Sequence, residues 1–195
     1  MIGICGASNT GVLLNPSIQY IGVDGGNDIL AKANIIPILS IGDFDSIQNH
    51  QLIQNNQITL PKIKDYTDTE YAIIEAIKLG YQEIEITGVT GGRIDHFMAM
   101  ICLLQKYNHI NIKIVDLQNE IFLLKKGRHI IENNHDYFSL FALKDTNISI
   151  RKARYEINNY KLKTNDPLCV SNEGINPLII VDQECICIKS KNDIK

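Results

Sequence analysis

Four groups of aspartates and glycines in the first half of the chain have residue types that can bind a metal–nucleotide complex. The first is Asp24-Gly25-Gly26, which follows an apolar segment ending at Val23. Glycines leave room for backbone amides to approach an anion, and an adjacent aspartate can hold a cation. Asp-Gly is also common in simple turns. The group therefore predicts a phosphate site only together with the others.

The second group contains Asp43 and Asp45, after an apolar segment at residues 36–41. If the chain is still extended there, two carboxylates one residue apart point the same way and repel each other unless a cation lies between them. Mg²⁺ prefers hard oxygen ligands and commonly bridges carboxylates to phosphates. The pair predicts a metal site at a triphosphate. The alternative is a helix start that is capped by Asp45 or Ser46.

The third group contains Lys64, Asp65, Thr67 and Asp68, at the start of a predicted helix. Thr67 and Glu70 have the spacing of a capping box. A lysine and a helix amino terminus both attract phosphate, but an aspartate in a first helical turn also suits the helix dipole without any ligand.

The fourth group is a glycine-rich loop that contains Thr90, Gly91, Gly92, Arg93, Asp95 and His96. The glycine pair permits close approach, Arg93 can bind phosphate oxygens through two N–H groups, and the last two residues can have a capping or orienting role. The chain contains neither a phosphate loop ending in Gly-Lys-Ser/Thr nor a Gly-x-Gly-x-x-Gly fingerprint. A conventional kinase or dehydrogenase is therefore disfavoured.

Short apolar segments alternate with helical stretches up to about residue 116, which is typical of an α/β domain with a mostly parallel sheet. Strands are predicted at 2–5, 20–23, 36–41, 83–87 and 112–115. One helix is predicted to follow Thr67 and to end at Gly80, and another to span residues 95–107. Ligands bind at the carboxyl ends of parallel strands, and the groups lie at the ends of apolar segments.

Segments with β-like alternation follow residue 116, at 121–124, 129–131, 137–143, 148–150, 155–162, 178–181 and 186–188. Seven such segments suggest a small β-sandwich or barrel. The predicted domains are therefore an α/β domain at residues 1–117 and an all-β domain at residues 118–195.

The overall composition is that of an ordinary globular protein, with 195 residues and a formal charge of -3. This charge provides no basic surface for nucleic acid, and no apolar segment has the roughly 20 residues that a membrane helix needs. The amino terminus has the pattern of a first strand rather than a signal peptide, so we expect a cytoplasmic location. Five cysteines without paired spacing predict reduced core thiols.

Taken in order, the four groups resemble the signature of the thiamin pyrophosphokinase family. That family carries Asp-Gly-Gly, Gly-Asp-Phe-Asp-Ser, Lys-Asp-x-Thr-Asp-x-x-x-Ala and Thr-Gly-Gly-Arg-x-Asp-His, and this chain has the corresponding residues at 24–26, 42–46, 64–72 and 90–96. Segments 160–162 and 171–173 are similar to the family's late segments that line the thiamin site. Two departures are Asn27-Asp28 in place of the usual Ala-Asn and the absence of Trp.

The resemblance implies a Rossmann-like catalytic domain, a β-sandwich domain that completes the thiamin pocket, and a homodimer. Four carboxylates would bind Mg²⁺: Asp24, Asp43, Asp45 and Asp68. ATP would be bound by members of the first, third and fourth groups: Asp24, Gly25, Gly26, Lys64, Thr67, Thr90, Gly91, Gly92, Arg93, Asp95 and His96. Ser171 and Asn172 would face the thiamin pyrimidine.

The resulting hypothesis is that the primary alcohol of thiamin attacks the β-phosphorus of ATP, which gives thiamin diphosphate and AMP. Such a transfer needs an aligned nucleophile and neutralised phosphate charge. Asp65 or a metal-bound carboxylate would accept the hydroxyl proton, and the sequence leaves both open. The alternatives are a pyrophosphokinase that acts on a hydroxymethylpterin, a non-catalytic nucleotide or thiamin sensor, and a structural protein whose acids only cap helices.

Overall fold

The chain divides into two units, Met1–Leu117 and Gln118–Lys195. The computed structural model describes residues 1–8, 11–42, 56–61, 63 and 65–192. Within these residues, no helix has both the length and the apolar character that crossing a membrane requires.

The first unit contains a sheet of parallel strands. The strands are β1 (Ile2–Cys5), β2 (Tyr20–Val23), β3 (Leu39–Gly42), β4 (Gln57–Thr59), β5 (Glu83–Thr87) and β6 (Asn111–Val115). They lie in the order β4-β3-β2-β1-β5-β6, and every neighbouring pair is parallel. The predicted parallel α/β architecture of this unit is confirmed.

The bounds of β1, β2 and β5 are those that the sequence predicts, β6 begins one residue earlier than predicted, and two strands differ more. β3 begins at Leu39 rather than at residue 36, because Pro37 lacks a backbone donor and Ile36 is 77% exposed. β4 was not predicted, since its three residues are largely exposed and give no apolar signal.

Among the described residues, three helices accompany the sheet: α1 (Gly26–Lys32), α2 (Asp68–Lys78) and α3 (Ile94–Lys106). The prediction for α2 is confirmed at both ends, because the Thr67 hydroxyl accepts from the Glu70 amide at 3.1 Å and Gly80 follows the helix with φ +90°. The Glu70 carboxylate binds α3 instead of completing the capping box, since it accepts from Lys106 Nζ at 2.5 Å and from the Tyr107 hydroxyl at 2.8 Å.

The second unit is all-β, as predicted. Its strands are β7 (Asn119–Leu124), β8 (Gly127–Ile130), β9 (Tyr137–Ala142), β10 (Thr146–Arg151), β11 (Ile157–Leu162), β12 (Leu178–Val181) and β13 (Cys185–Ser190). β13 pairs antiparallel with β7 and β9, and an antiparallel sheet in the order β11-β10-β12-β8 contains the other four. Buried residues of all these strands except β8, together with Ile131 and Cys169, form one core, in which Phe138, Leu140, Ile148 and Ile179 are fully buried.

Candidate functional site

The strand order of the first unit reverses direction between β1 and β5. From β1 the chain builds the sheet to one side through β2, β3 and β4, and β5 and β6 then extend it on the other side. In open parallel sheets, ligands bind in the crevice outside the carboxyl ends of the strands at such a switch point.

A cavity of about 370 Å³ lies at this switch point. Its walls are the segments that follow β1, β2 and β5 together with residues of α2 and α3: Gly6, Ala7, Ser8, Val23, Asp24, Thr69, Gly88, Val89, Gly91, Gly92, Arg93, His96 and Met100. The cavity thus brings together residues of the first and fourth predicted groups and one residue next to the third.

Gly6 and Gly88 form a close backbone contact in the cavity wall. A Cβ atom on Gly6 would lie 2.6 Å from the Gly88 oxygen, and one on Gly88, whose φ is +68°, would lie 2.4 Å from the Gly6 oxygen. Ser8 continues the contact, because its amide donates to the Gly88 oxygen at 2.8 Å and its hydroxyl to the Thr90 oxygen at 2.6 Å. Only glycine fits at either position without a shift of the backbone.

Segment 6–8 was not predicted as part of the site, because it has no charged residue. The available signal was a glycine placed directly after a fully buried strand, since backbone must approach closely at such points.

Asp24 directly follows β2 and faces the end of β3. Its φ is +47°, its amide donates to the Ile41 oxygen at 2.9 Å, and a Cβ atom on Gly42 would lie 2.2 Å from Asp24 Oδ1. The carboxylate therefore lies against the backbone immediately before Asp43. A hard oxygen donor at this place fits a Mg²⁺ ligand.

The structure describes only some of the residues that are expected to bind Mg²⁺ or phosphate. Asp43, Asp45 and Lys64 lie outside the described residues. Within the part of the chain that the structure describes, no group of three or more His, Cys, Asp or Glu side chains that could hold a metal ion comes together.

The glycine pair after Asp24 shapes the site through packing. Gly26 begins α1, and a Cβ atom on it would lie 1.9 Å from the Cys5 oxygen, so the first turn of α1 rests directly on the end of β1. Gly25 caps the helix without a side-chain hydrogen bond. The close contact at Gly26 is therefore with protein backbone.

The fourth group presents an oriented arginine to the cavity. Arg93 donates to Asp95 through Nε at 3.1 Å and through Nη2 at 2.5 Å, and Asp95 Oδ1 also accepts from the His96 amide at 3.0 Å. The hydrogen bond from Arg93 lowers the pKa of the Asp95 carboxyl below its usual value. Gly91 and Gly92, with φ of +78° and +75°, form the turn that precedes the arginine. Asp95 is thus paired with the Arg93 guanidinium, and its expected part in binding ATP stays a prediction.

The third group reaches the cavity through a residue that was not predicted. Thr67 caps α2, Asp68 is half-buried in the first helical turn, and Asp65 is exposed. The cavity wall here is formed by Thr69.

In the second unit, Ser171 and Asn172 have different surroundings. Ser171 is exposed and has φ +55°. Asn172 is 3% exposed, and its carboxamide donates to the Tyr155 oxygen at 2.8 Å and accepts from the Tyr155 amide at 3.0 Å and the Glu173 amide at 2.9 Å. Asn172 therefore lies beneath the surface and supports it through backbone groups of Tyr155 and Glu173, and its expected contact with thiamin stays a prediction.

The surface that Asn172 supports carries an exposed aromatic ring. Tyr155 is 57% exposed, and the Arg154 guanidinium lies 5.4 Å from the centre of its ring. Arg154 Nη1 is held by Glu173 Oε1 at 2.5 Å. Tyr155 was predicted to lie in a strand, and nothing in the strand pattern indicated that its ring would be exposed. β11 begins two residues later, at Ile157.

Known proteins match both units. Residues 11–115 match the family model described as thiamin pyrophosphokinase, catalytic domain, and residues 128–194 match the one described as thiamin pyrophosphokinase, vitamin B1 binding domain. A thiamine pyrophosphokinase of Bacillus subtilis (strain 168) is 37% identical over 167 residues, which cover 80% of this chain and 78% of that protein.

Solved structures are also similar to the chain over nearly its whole length. The crystal structure of thiamine pyrophosphokinase from Bacillus subtilis has a TM-score of 0.88 at 29% identity, and covers 98% of this chain and 99% of its own. The crystal structure of a thiamin pyrophosphokinase family protein from Enterococcus faecalis has a TM-score of 0.89 at 28% identity, with the same coverage of 98% and 99%.

Proposed function

The chain belongs to the thiamin pyrophosphokinase family, and we propose that it transfers the pyrophosphoryl group of ATP to the hydroxyl of thiamin, giving thiamin diphosphate and AMP. The observation that carries this proposal, beyond membership of the family, is the cavity at the switch point of the first unit. Residues of the first and fourth aspartate–glycine groups line it together with Thr69 of α2.

The proposed metal ligands are Asp24, Asp43, Asp45 and Asp68. The position of Asp24 Oδ1 against Gly42 supports this set, because it brings one member next to the residue that precedes another. When Mg²⁺ is bound there, it supplies neutralisation of the charge on the polyphosphate.

The proposed ATP-binding surface is the wall formed by the fourth group, with Lys64 as a further cation. Asp95 accepts two hydrogen bonds from the Arg93 guanidinium in an exposed pair, and the remaining N–H groups of Arg93 can bind phosphate oxygens. The turn at Gly91 and Gly92 places two residues without side chains beside the arginine, and no atom of the described residues lies within 4 Å of a Cβ atom on Gly92. These residues would thereby bind and align the nucleotide, so that the thiamin hydroxyl can attack the β-phosphorus.

The hydroxyl proton of thiamin goes to Asp65 or to a carboxylate of the metal site. Replacing Asp65 by Asn separates the two. If Asp65 is the base, turnover falls and the metal requirement is unchanged. If a metal ligand is the base, the variant turns over normally.

We place thiamin at the surface of the second unit that carries Ser171 and Tyr155. The match of residues 128–194 to a vitamin B1 binding domain and the exposure of the Tyr155 ring support this placement, because aromatic faces stack well on heteroaromatic rings and cations. A homodimer and a cytoplasmic location complete the proposal. The location agrees with five free cysteines, since disulfides are rare in the cytosol.

One assay tests the proposed activity. Purified protein with Mg-ATP and thiamin should form AMP and thiamin diphosphate in equal amounts, measured by mass spectrometry, and a hydroxymethylpterin offered instead should give no product. Pyrophosphorylated pterin would favour the rival pyrophosphokinase. Ligand binding without release of AMP would favour a sensor, and no binding at all would favour a structural protein.

A further inference from the structure

We propose that Asn27 is a positioning residue that holds Asp24 in place to bind the metal–nucleotide complex, an inference that rests on the proposed function. Asn27 lies in the first turn of α1 and does not line the cavity. It is a polar residue that is almost completely buried, with an exposed fraction of 5%. A buried carboxamide needs partners for its polar atoms. Its partners connect it to the candidate metal site.

Asn27 binds Asp24 twice. Its side-chain Nδ2 donates to the Asp24 backbone oxygen at 3.0 Å, and its own amide donates to the same oxygen at 3.1 Å. The turn between β2 and α1 is thereby closed on the residue whose φ of +47° is uncommon outside glycine. The side-chain bond thus stabilises the backbone conformation from which the Asp24 carboxylate projects.

The other end of the carboxamide is fixed to the neighbouring strand. The Ser40 hydroxyl donates to Asn27 Oδ1 at 2.7 Å, and both residues are buried. A Cβ atom on Gly22 would lie 2.1 Å from the same Oδ1, so the carboxamide lies directly on the backbone of β2. Gly22 and Ser40 are register partners in β2 and β3, so Asn27 spans these two strands.

The strands that Asn27 connects are the two whose carboxyl ends carry the first and second groups. Asp24 follows β2, and Gly42 ends β3 directly before Asp43. The contact of Asp24 Oδ1 with the Gly42 backbone depends on the relative position of these ends. The bond from Asn27 to Asp24 is the part of this arrangement that holds the carboxylate against Gly42, and the bond from Ser40 anchors the far end of the carboxamide on the sheet.

The test uses Asn27→Ala, Ser40→Ala and the double variant, with Mn²⁺ as the probe. Ser40→Ala is the matched control, because it removes a buried hydrogen bond to the same carboxamide and leaves the bond to Asp24. In Asn27→Ala the buried Ser40 hydroxyl loses its acceptor, which destabilises the protein. The double variant also removes that hydroxyl, so it replaces the single variant if Asn27→Ala does not fold. Binding of Mn²⁺ with ATP is measured by electron paramagnetic resonance, together with the Mg²⁺ concentration at half-maximal turnover and urea unfolding.

Asn27→Ala and the double variant should raise the Mn²⁺ dissociation constant roughly fivefold to tenfold, as expected for one hydrogen bond, whereas Ser40→Ala should change it by less than about twofold. The Mg²⁺ requirement should shift in parallel, and all three variants should unfold at lower urea. Unchanged Mn²⁺ binding in Asn27→Ala, or equal weakening in Ser40→Ala, would overturn the proposal. Wild-type protein that binds Mn²⁺ with ATP but forms no thiamin diphosphate would refute the proposed activity and leave this inference standing.

Discussion

Replacing Gly26 by alanine should disable the site by moving α1. The added Cβ atom would lie 1.9 Å from the Cys5 oxygen and 2.6 Å from the Cys5 carbonyl carbon, whereas ordinary contact begins at 3.4 Å. Both contacts are with backbone, so no side chain can rotate away. The first turn of α1 must therefore withdraw from the end of β1, and Asp24, two residues earlier, must move with it.

Two magnitudes follow from this displacement. Overpacking of this kind costs about 1–3 kcal/mol of unfolding free energy. The shift needed to restore ordinary contact exceeds 1 Å, and a misplacement of about 1 Å in a catalytic arrangement can cost roughly 100-fold in rate. We therefore expect kcat/KM to fall by about two orders of magnitude while the protein still folds.

Gly80→Ala is the matched control for this substitution. Gly80 has φ +90°, and within the part of the chain that the structure describes no atom lies within 4 Å of its Cβ position, so alanine there introduces backbone strain without a clash among these residues. The strain should cost about 1–2 kcal/mol and leave turnover unchanged. Urea unfolding and steady-state kinetics on both variants make the comparison. If Gly26→Ala keeps wild-type kcat/KM while it loses as much stability as Gly80→Ala, the reasoning about the contact of α1 with β1 is wrong.

Three further predictions concern the cores. In the native protein a thiol reagent should modify Cys102 alone, because it is the exposed cysteine and the other four are buried. Denatured protein should give five modified thiols, and rapid modification of a second thiol in the native protein would contradict the burial of the other four. Burial raises the pKa of the Cys187 thiol from about 9 to about 12, so between these pH values the native state keeps a proton that the unfolded chain loses. The free energy of unfolding, measured with urea, should therefore be highest below pH 9 and fall as the pH rises toward 12. An unfolding free energy that does not change over this range would contradict the prediction. Phe138→Ala, at a fully buried core position, should lower the unfolding free energy by roughly 3–5 kcal/mol, and a loss under about 1 kcal/mol would show that the core can collapse around the vacated space.

The elements that the sequence predicts well are those with a strong local signal. β1 and β2 are fully buried along their length, so each is a short apolar segment without polar interruption. α2 has a capping threonine at one end and a glycine with positive φ at the other. In contrast, α1 was not predicted. It has only seven residues and begins with a glycine that looks like part of a turn, so the sequence shows no periodic apolar pattern there.

The site was predictable where side chains carry the chemistry and not where backbone or burial does. Asp24 and Arg93 were identified from their residue types and glycine neighbours, and both line the cavity. The contact between Gly6 and Gly88 depends on the parallel register of β1 and β5, which a linear pattern does not contain. Asn27 looked only like a departure from a familiar motif, because its hydrogen bond from Ser40 exists only after β2 and β3 have paired.

The most direct test of the account is the turnover of Asp24→Asn under saturating Mg-ATP and thiamin. The substitution keeps the size of the side chain and removes the charge that the proposed metal site requires. We expect kcat to fall by about 100-fold to 1,000-fold, as is typical when a group that stabilises developing charge is removed. An Asp24→Asn protein that forms thiamin diphosphate at the wild-type rate would contradict the claim that this carboxylate, held against Gly42 at the ends of β2 and β3, binds the metal–nucleotide complex.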